Sequence, residues 1–316
     1  MRSPRIRNDR EQCFYHCFNR AAGWRGDSLF GALEKEKLFS LAVWLQKFYA
    51  IEVISFVCMS NHWHALVCTY PGKPDRSEVE HRFRNFYGET RIPPNWDDPN
   101  VVDKYATRMR DMSCFVKDLQ QRFTCWFNRT TGHQGRLWAD RYKSVALDGN
   151  HALWECLKYL EMNPVRAGYC EDPGDYRFCS WGRYCGSGRH PFAQAFEKHL
   201  VHYHRDKGCD LGFKDVANFL GAELARVAAA ERGESPAEIE RAQKNASSGV
   251  PFDLSVMRRV RYWSDGGIIG GEDFVRRFAA RIFGYKRATN KRLARSPCIR
   301  GTSHSLFSFR FLKKFS

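Results

Sequence analysis

The hydrophobic pattern of the chain alternates between the periods of strand and helix. Residues 11 to 20, Glu-Gln-Cys-Phe-Tyr-His-Cys-Phe-Asn-Arg, read as a strand. From Glu34 to Phe48 the apolar positions Leu38, Leu41, Trp44, Leu45 and Phe48 recur at helical spacing. Ile51 to Val67 is β-branched or apolar almost throughout and predicts buried strand, either continuous or folded into a hairpin at the break Met59-Ser60-Asn61. Residues 71 to 100, rich in Pro, Gly, Asp and Arg, predict a loop or insertion. Between Met109 and Asn128, Met112, Phe115, Val116, Leu119, Phe123 and Phe127 share one face of an amphipathic helix. Turn chemistry at Thr130 to Gly135 precedes a strand at Arg141 to Leu147. A helix then runs from about Asn150 to Met162, where Asn163-Pro164 stops it because a proline cannot extend it.

The order strand, helix, strand, strand, helix, strand, helix predicts an α+β fold, a small antiparallel sheet with helices on one face. The character shifts near residue 189. Ala217, Leu220, Leu224 and Val227 suggest helices, while Ala228 to Gly249 is charged and carries Ser and Gly, suiting a linker. Three regions are therefore expected: residues 1–188 carrying the sheet, a helical and linker region over 189–250, and a basic C-terminal region over 251–316, with the part beyond the sheet mainly helical.

With 43% hydrophobic and 15% aromatic residues, a chain of 316 residues can bury a sizeable core and is globular. Fifty-one Lys and Arg against 35 Asp and Glu leave a formal charge of +16, which favours a polyanionic partner such as nucleic acid. The excess is strongest at the end: Arg258, Arg259, Arg281, Lys286, Arg287, Lys291, Arg292, Arg295 and Arg300 stand near Tyr285, Phe307, Phe309 and Phe311, with no Asp or Glu after Arg281. Such a segment is either a solvated tail or a track for a phosphate backbone. Twelve cysteines without a Cys-x-x-Cys pair suit a reducing cytoplasm. Cys13, His16 and Cys17 could ligate zinc but lack a second ligand pair, so packed cysteines are expected. No window reaches the ~18 apolar residues of a membrane span, so no membrane contact is expected.

Two constellations carry chemistry. His62-Trp63-His64 lies within strand pattern, where side chains i and i+2 share a face, so two imidazoles stand side by side as a pair of metal ligands. The pattern alone is cheap, since about 0.4 His-x-His pairs are expected by chance in such a composition. A packed and a hydrogen-bonded imidazole is the alternative. Further along, Tyr159 and Asn163 are one helical turn apart, so a phenol and an amide oxygen can converge on one site. A core tyrosine followed by a helix-ending asparagine is the structural alternative there.

Four motifs, in this order, resemble the single-tyrosine transposases of the HUH superfamily, in particular the REP-associated tyrosine transposases. They are Tyr15-His-Cys-Phe-Asn-Arg20; Asn61-His-Trp-His-Ala-Leu-Val67; Phe127-Asn-Arg129 with Gly135-Arg-Leu-Trp-Ala-Asp-Arg-Tyr-Lys-Ser144; and Tyr159-Leu-Glu-Met-Asn-Pro-Val-Arg-Ala-Gly168. The resemblance covers roughly residues 10 to 185. It implies a sheet of ferredoxin-like type, His62 and His64 as ligands of Mg²⁺ or Mn²⁺, Asn163 as the third, amide-type ligand, and Tyr159 as nucleophile.

The implied activity is nicking and rejoining of single-stranded DNA near hairpins through a 5′-phosphotyrosine. Arg136, Arg141 and Lys143 are candidates for backbone contacts. Some relatives exchange the tyrosine helix between subunits, so a homodimer is open. The runner-up is a hairpin-binding protein that keeps the fold and no longer cuts. A hydrolase of the two-histidine phosphoesterase type would need a second His-x-Ser/Thr repeat, and His64-Ala-Leu provides none. Two departures stand out: residues 71 to 110 are longer and more polar than the resemblance requires, and beyond residue 189 no motif maps, although Arg261 to Phe274 looks like an appended region of some relatives.

Overall fold

A computed structural model of the chain describes residues 6, 8–23, 28–205, 212–235, 237, 263–264, 266–285, 294–295 and 306–310. The first strand is β1 (Cys13–Arg20), followed by α1 (Ala32–Leu45) and by β2 (Glu52–Cys58) and β3 (His62–Thr69). The Met59-Ser60-Asn61 break therefore makes a hairpin, closed by a bond from Met59 N to His62 O at 2.8 Å. Three helices come next, α2 (Arg76–Tyr87), α3 (Pro99–Met109) and α4 (Met112–Thr131), and then β4 (Lys143–Leu147), α5 (His151–Glu161) and the short α6 (Asn163–Arg166). Later elements are α7 (Ser180–Ser187), α8 (Ala193–Arg205), α9 (Phe213–Glu231), β5 (Gly266–Gly270), α10 (Glu272–Phe283), β6 (Ala294–Arg295) and β7 (Phe307–Arg310).

The strands form one sheet in the order β2-β3-β1-β4-β5-β7-β6. Its first four strands carry the βαββαβ connection and antiparallel pairing of a ferredoxin-like sheet, so the fold class is the α+β one expected. Beyond it, β5 runs parallel to β4, with Ala146 opposite Ile268 and Leu147 opposite Ile269, and β7 pairs antiparallel to β5. Alongside helices, the C-terminal region thus contributes strands to the same sheet. Among the described residues no helix is long and apolar enough to cross a membrane.

Helices cover both faces rather than one. Alternation along β1 sends Cys13, Tyr15 and Cys17 to a core with α1, α3 and α4, and Phe14 to a second core with α5, α8 and α9. The second layer follows from the composition of α5. Every residue of α5 from Ala152 to Glu161 is buried, the polar Glu155, Lys158 and Glu161 included, so the helix is covered on every side. The same alternation separates Cys13 and Cys17 from His16, so the three do not form a zinc site; Cys17 packs on Met112 instead.

The segment expected as a loop over residues 71 to 100 contains α2. Asp75 caps it by accepting from Glu78 N at 2.8 Å, and Val79, Phe83 and Phe86 form a narrow buried stripe. Its other positions are mostly polar or charged, with Arg76–Glu80 and Arg82–Glu78 pairs one turn apart, and that polarity masked the stripe. In the linker expected over 228–249, α9 extends to Glu231; most of the rest lies outside the described residues, as do most of the C-terminal basic residues and Arg261 of the appended region.

Between α5 and α9, Lys158 is buried with its ammonium 2.6 Å from both Glu155 and Glu223. Removing one partner of such a buried group leaves uncompensated charge. Lys158→Met is expected to cost about 3–5 kcal/mol in urea unfolding, and Glu155→Gln with Glu223→Gln in the same chain to restore most of it.

Candidate functional site

The hairpin places His62 and His64 at the start of β3 on the face toward α5. Pairing with β1 sets Arg20 opposite His62 and Phe18 opposite His64. The two imidazole rings are 5.1 Å apart, centroid to centroid, and nearly perpendicular. His64 is buried, and His62 is partly open.

A chain of hydrogen bonds fixes which nitrogen of each ring bears a lone pair. The carbonyl of Trp263 can only accept, so His16 Nδ1, 3.1 Å away, carries the proton. Neutral His16 then offers its Nε2 lone pair to His64 Nδ1–H at 2.8 Å, which leaves Nε2 of His64 as the bare nitrogen. His62 Nδ1 likewise donates to Asn61 Oδ1 at 2.7 Å and keeps the Nε2 lone pair. Both histidines thus present the nitrogen suited to a metal, oriented by the outer hydrogen bonds typical of ligating imidazoles. Neutrality is enforced by desolvation. Burial pulls His16 down to about 4, with the Trp263 carbonyl opposing; burial and then the Arg20 charge pull His62 down to about 4; His64 is pulled well below its usual value by burial and then by His16, His62 and Arg166.

Tyr159, near the end of α5, turns its ring into this cluster. Its centroid lies 6.1 Å from His64, 5.8 Å from His16 and 5.7 Å from Trp263, and it is 1% exposed. Burial pushes its phenol up to about 12, against the opposing charge of Arg166. That guanidinium stands 4.3 Å from the tyrosine ring centre and donates to Tyr159 O at 2.7 Å and to Asn163 Oδ1 at 3.0 Å. Asn163 donates its own Nδ2 to the carbonyls of Tyr159 and Leu160, capping the helix end. Its oxygen keeps one of two lone pairs beyond the Arg166 bond. His62, His64 and Tyr159 are therefore brought together, and Asn163 reaches the cluster through Arg166.

The basic candidates divide. Lys143 is exposed on β4 opposite Phe18, whose other neighbour is His64, so it stands on the histidine row about 10 Å away across two strand spacings. Arg136 is exposed and braces its own loop by donating to the carbonyls of Trp138 and Ala139; that loop joins β1 beside Arg20 and Ala21, at the His62 end. Arg141 lines a cleft with Lys117, Gln121 and Trp138 on the α4 side, away from the histidines. Another open cleft on that side, about 820 Å³, runs between α1 and α4 and is basic and aromatic, with Lys37, Trp44, Arg122, Trp126 and Arg129.

The sequence pointed to no role at this site for His16, weighed there only as a zinc ligand beside Cys13 and Cys17, nor for Arg166 or Trp263. The first two lie inside the quoted motifs, and strand pairing is the signal that would have joined His16 to His64; nothing local points to Trp263.

No protein-family model and no curated protein matches the chain. The chain is similar to the solved structure of a REP-associated tyrosine transposase bound to a REP hairpin, at 16% identity and a TM-score of 0.37, over 60% of this chain and 87% of that one. The likeness is a distant one.

Neutral buried imidazoles couple stability to pH. Between their folded values near 4 and the ordinary value of 6.5, His16 and His62 bind fewer protons in the folded than in the unfolded chain. Metal-free protein is therefore expected to lose stability as pH falls from 6.5 to 4, by at most about 3 kcal/mol for each of these groups, with little further change from them below 4. Thermal melts across that range check this, and His16→Phe should flatten the dependence.

Proposed function

We propose that the protein is a metal-dependent enzyme that nicks and rejoins single-stranded DNA near hairpins. The observation that carries this reading is the approach of the Tyr159 ring to His64 while the hydrogen-bond chain leaves Nε2 of both His62 and His64 bare. The donor set fits a divalent ion: two neutral imidazoles, and an amide oxygen of Asn163 with one lone pair to give. Two nitrogens in the set suit Mn²⁺ better than Mg²⁺. The ion would supply Lewis-acid polarisation of the scissile phosphate and lower the barrier to losing the phenolic proton.

The remaining work belongs to the chain. Tyr159 Oη attacks phosphorus, forming a 5′-phosphotyrosine as the P–O bond to the 3′-hydroxyl breaks; that oxygen takes up a proton as the tyrosine releases one. A second 3′-hydroxyl reverses the step and joins strands without an external energy source. Arg166, beside the phenol, would stabilise both the developing phenolate and the phosphate charge. Lys143, Arg136 and the +16 excess would hold the DNA backbone.

A second reading, a hairpin-binding protein that no longer cuts, is favoured by the burial of Tyr159 beneath Trp263, since the attacking oxygen has to meet DNA. Incubation with a labelled single-stranded hairpin oligonucleotide and Mn²⁺ separates the two. A denaturation-resistant protein–DNA adduct is expected, absent in Tyr159→Phe and in His64→Ala. DNA binding without adduct under any metal selects the second reading. His16→Phe should weaken metal affinity about 10–100-fold with Tyr159 intact, by removing the group that orients His64.

A further inference from the structure

We propose that Glu52, Cys68 and His199 form a second metal site, for Zn²⁺, at the opposite end of β3 from His62. Register brings the first two together: Glu52 of β2 lies directly across from Cys68 of β3, with both side chains toward α8. Helix α8 then lowers His199 onto the pair, and its ring is held edge-on against Phe14, the other cross-strand neighbour of Cys68, at 5.0 Å. One ligand atom from each residue lies within 4.8 Å of the other two. Tetrahedral zinc wants its donors about 3.5 Å apart, so a rotamer adjustment of the partly exposed Glu52 closes the site. A thiolate, an imidazole and a carboxylate together select a borderline ion over Mg²⁺ or Ca²⁺.

The hydrogen bonds around the cluster have the form of a site in which protons occupy the metal's place. Glu52 Oε2 accepts from His199 Nε2 at 2.5 Å and from Tyr70 OH at 2.5 Å, and Oε1 accepts from Lys198 at 2.9 Å. Tyr70 OH also lies 3.2 Å from His199 Nε2, and Gln12 Nε2 lies 3.4 Å from His199 Nδ1. These contacts overcome burial and hold the Glu52 carboxyl ionised, near 2, while burial pushes the Cys68 thiol up to about 12. A divalent ion would release the thiol proton to solvent. The His199 ring proton would move to Nδ1, where Gln12 can turn its carbonyl oxygen to accept it, leaving Nε2 for the ion. The filled site would staple α8 to β2 and β3, about 13 Å along β3 from His64 and independent of DNA cleavage.

The test uses the full chain carrying His62→Ala and His64→Ala, stripped of metal and titrated with Co²⁺ as a spectroscopic probe. Expected are a thiolate-to-cobalt charge-transfer band and tetrahedral visible absorption that saturate at one ion per chain, vanish when Zn²⁺ is added, and are absent in Cys68→Ser. Zn²⁺ should raise Tm by several degrees in the parent and not in His199→Gln. Glu52→Gln serves as the further variant if Cys68→Ser fails to fold, and should lower Co²⁺ affinity at least tenfold. Absence of a thiolate band, an unchanged spectrum in folded Cys68→Ser, or the same Zn²⁺ shift of Tm in His199→Gln would overturn the proposal, leaving a purely hydrogen-bonded cluster.

Discussion

The histidine face depends on the antiparallel pairing of β1 with β3. That register puts Phe18 beside His64 and Arg20 beside His62, and the neighbouring row puts His16 within a hydrogen bond of His64. A slip of β1 by one residue would turn His16, Phe18 and Arg20 to the α1 and α4 core and bring Tyr15 and Cys17 to the opposite face. The slip is resisted from both sides. Trp63 and Cys17 are fully buried in one core, and Leu66 in the other, so neither face tolerates the exchange.

Burial on both faces also explains why so much charge lies inside. α5 is enclosed by the sheet and α9, so its polar residues have to find partners within the protein. Lys158 does so with Glu155 and Glu223. Glu161 accepts from Ser55 and from the backbone of Trp181, and its burial pushes the carboxyl up to about 7. These contacts fix the rotation of α5 and with it the direction of Tyr159. The position of the phenol is thus a product of ion pairing on one side of the helix and ring packing on the other.

Local pattern made the ferredoxin-like part legible. β1, α1, α4, β4 and α5 each announce themselves through period or punctuation, and the polar Met59-Ser60-Asn61 break marked the hairpin. α2 was hidden because a helix with three buried positions among charged ones has almost no stripe to read. The histidine pair was legible from spacing, and its proximity to Tyr159 from the motif resemblance. The hydrogen-bond chain was not. It joins His16 to a backbone carbonyl 247 residues away, a relation that no local window contains. The Glu52, Cys68 and His199 cluster escaped for the same reason, since its members become neighbours only through cross-strand register and the docking of α8.

The parallel pairing of β5 with β4 bears on biosynthesis. The partners Ala146 and Ile268 are separated by about 120 residues, so the outer edge of β4 stays bare on the ribosome until the β5 segment has emerged. A nascent chain carrying an unpaired apolar strand is exposed to edge-to-edge association throughout that interval. The step that caps this edge brings in Ile268 and Ile269, one for each core, and the same segment carries Trp263 to the back of His16. Maturation of the imidazole cluster is therefore timed by the emergence of the Trp263 and β5 segment rather than by folding of the four-strand unit that bears it.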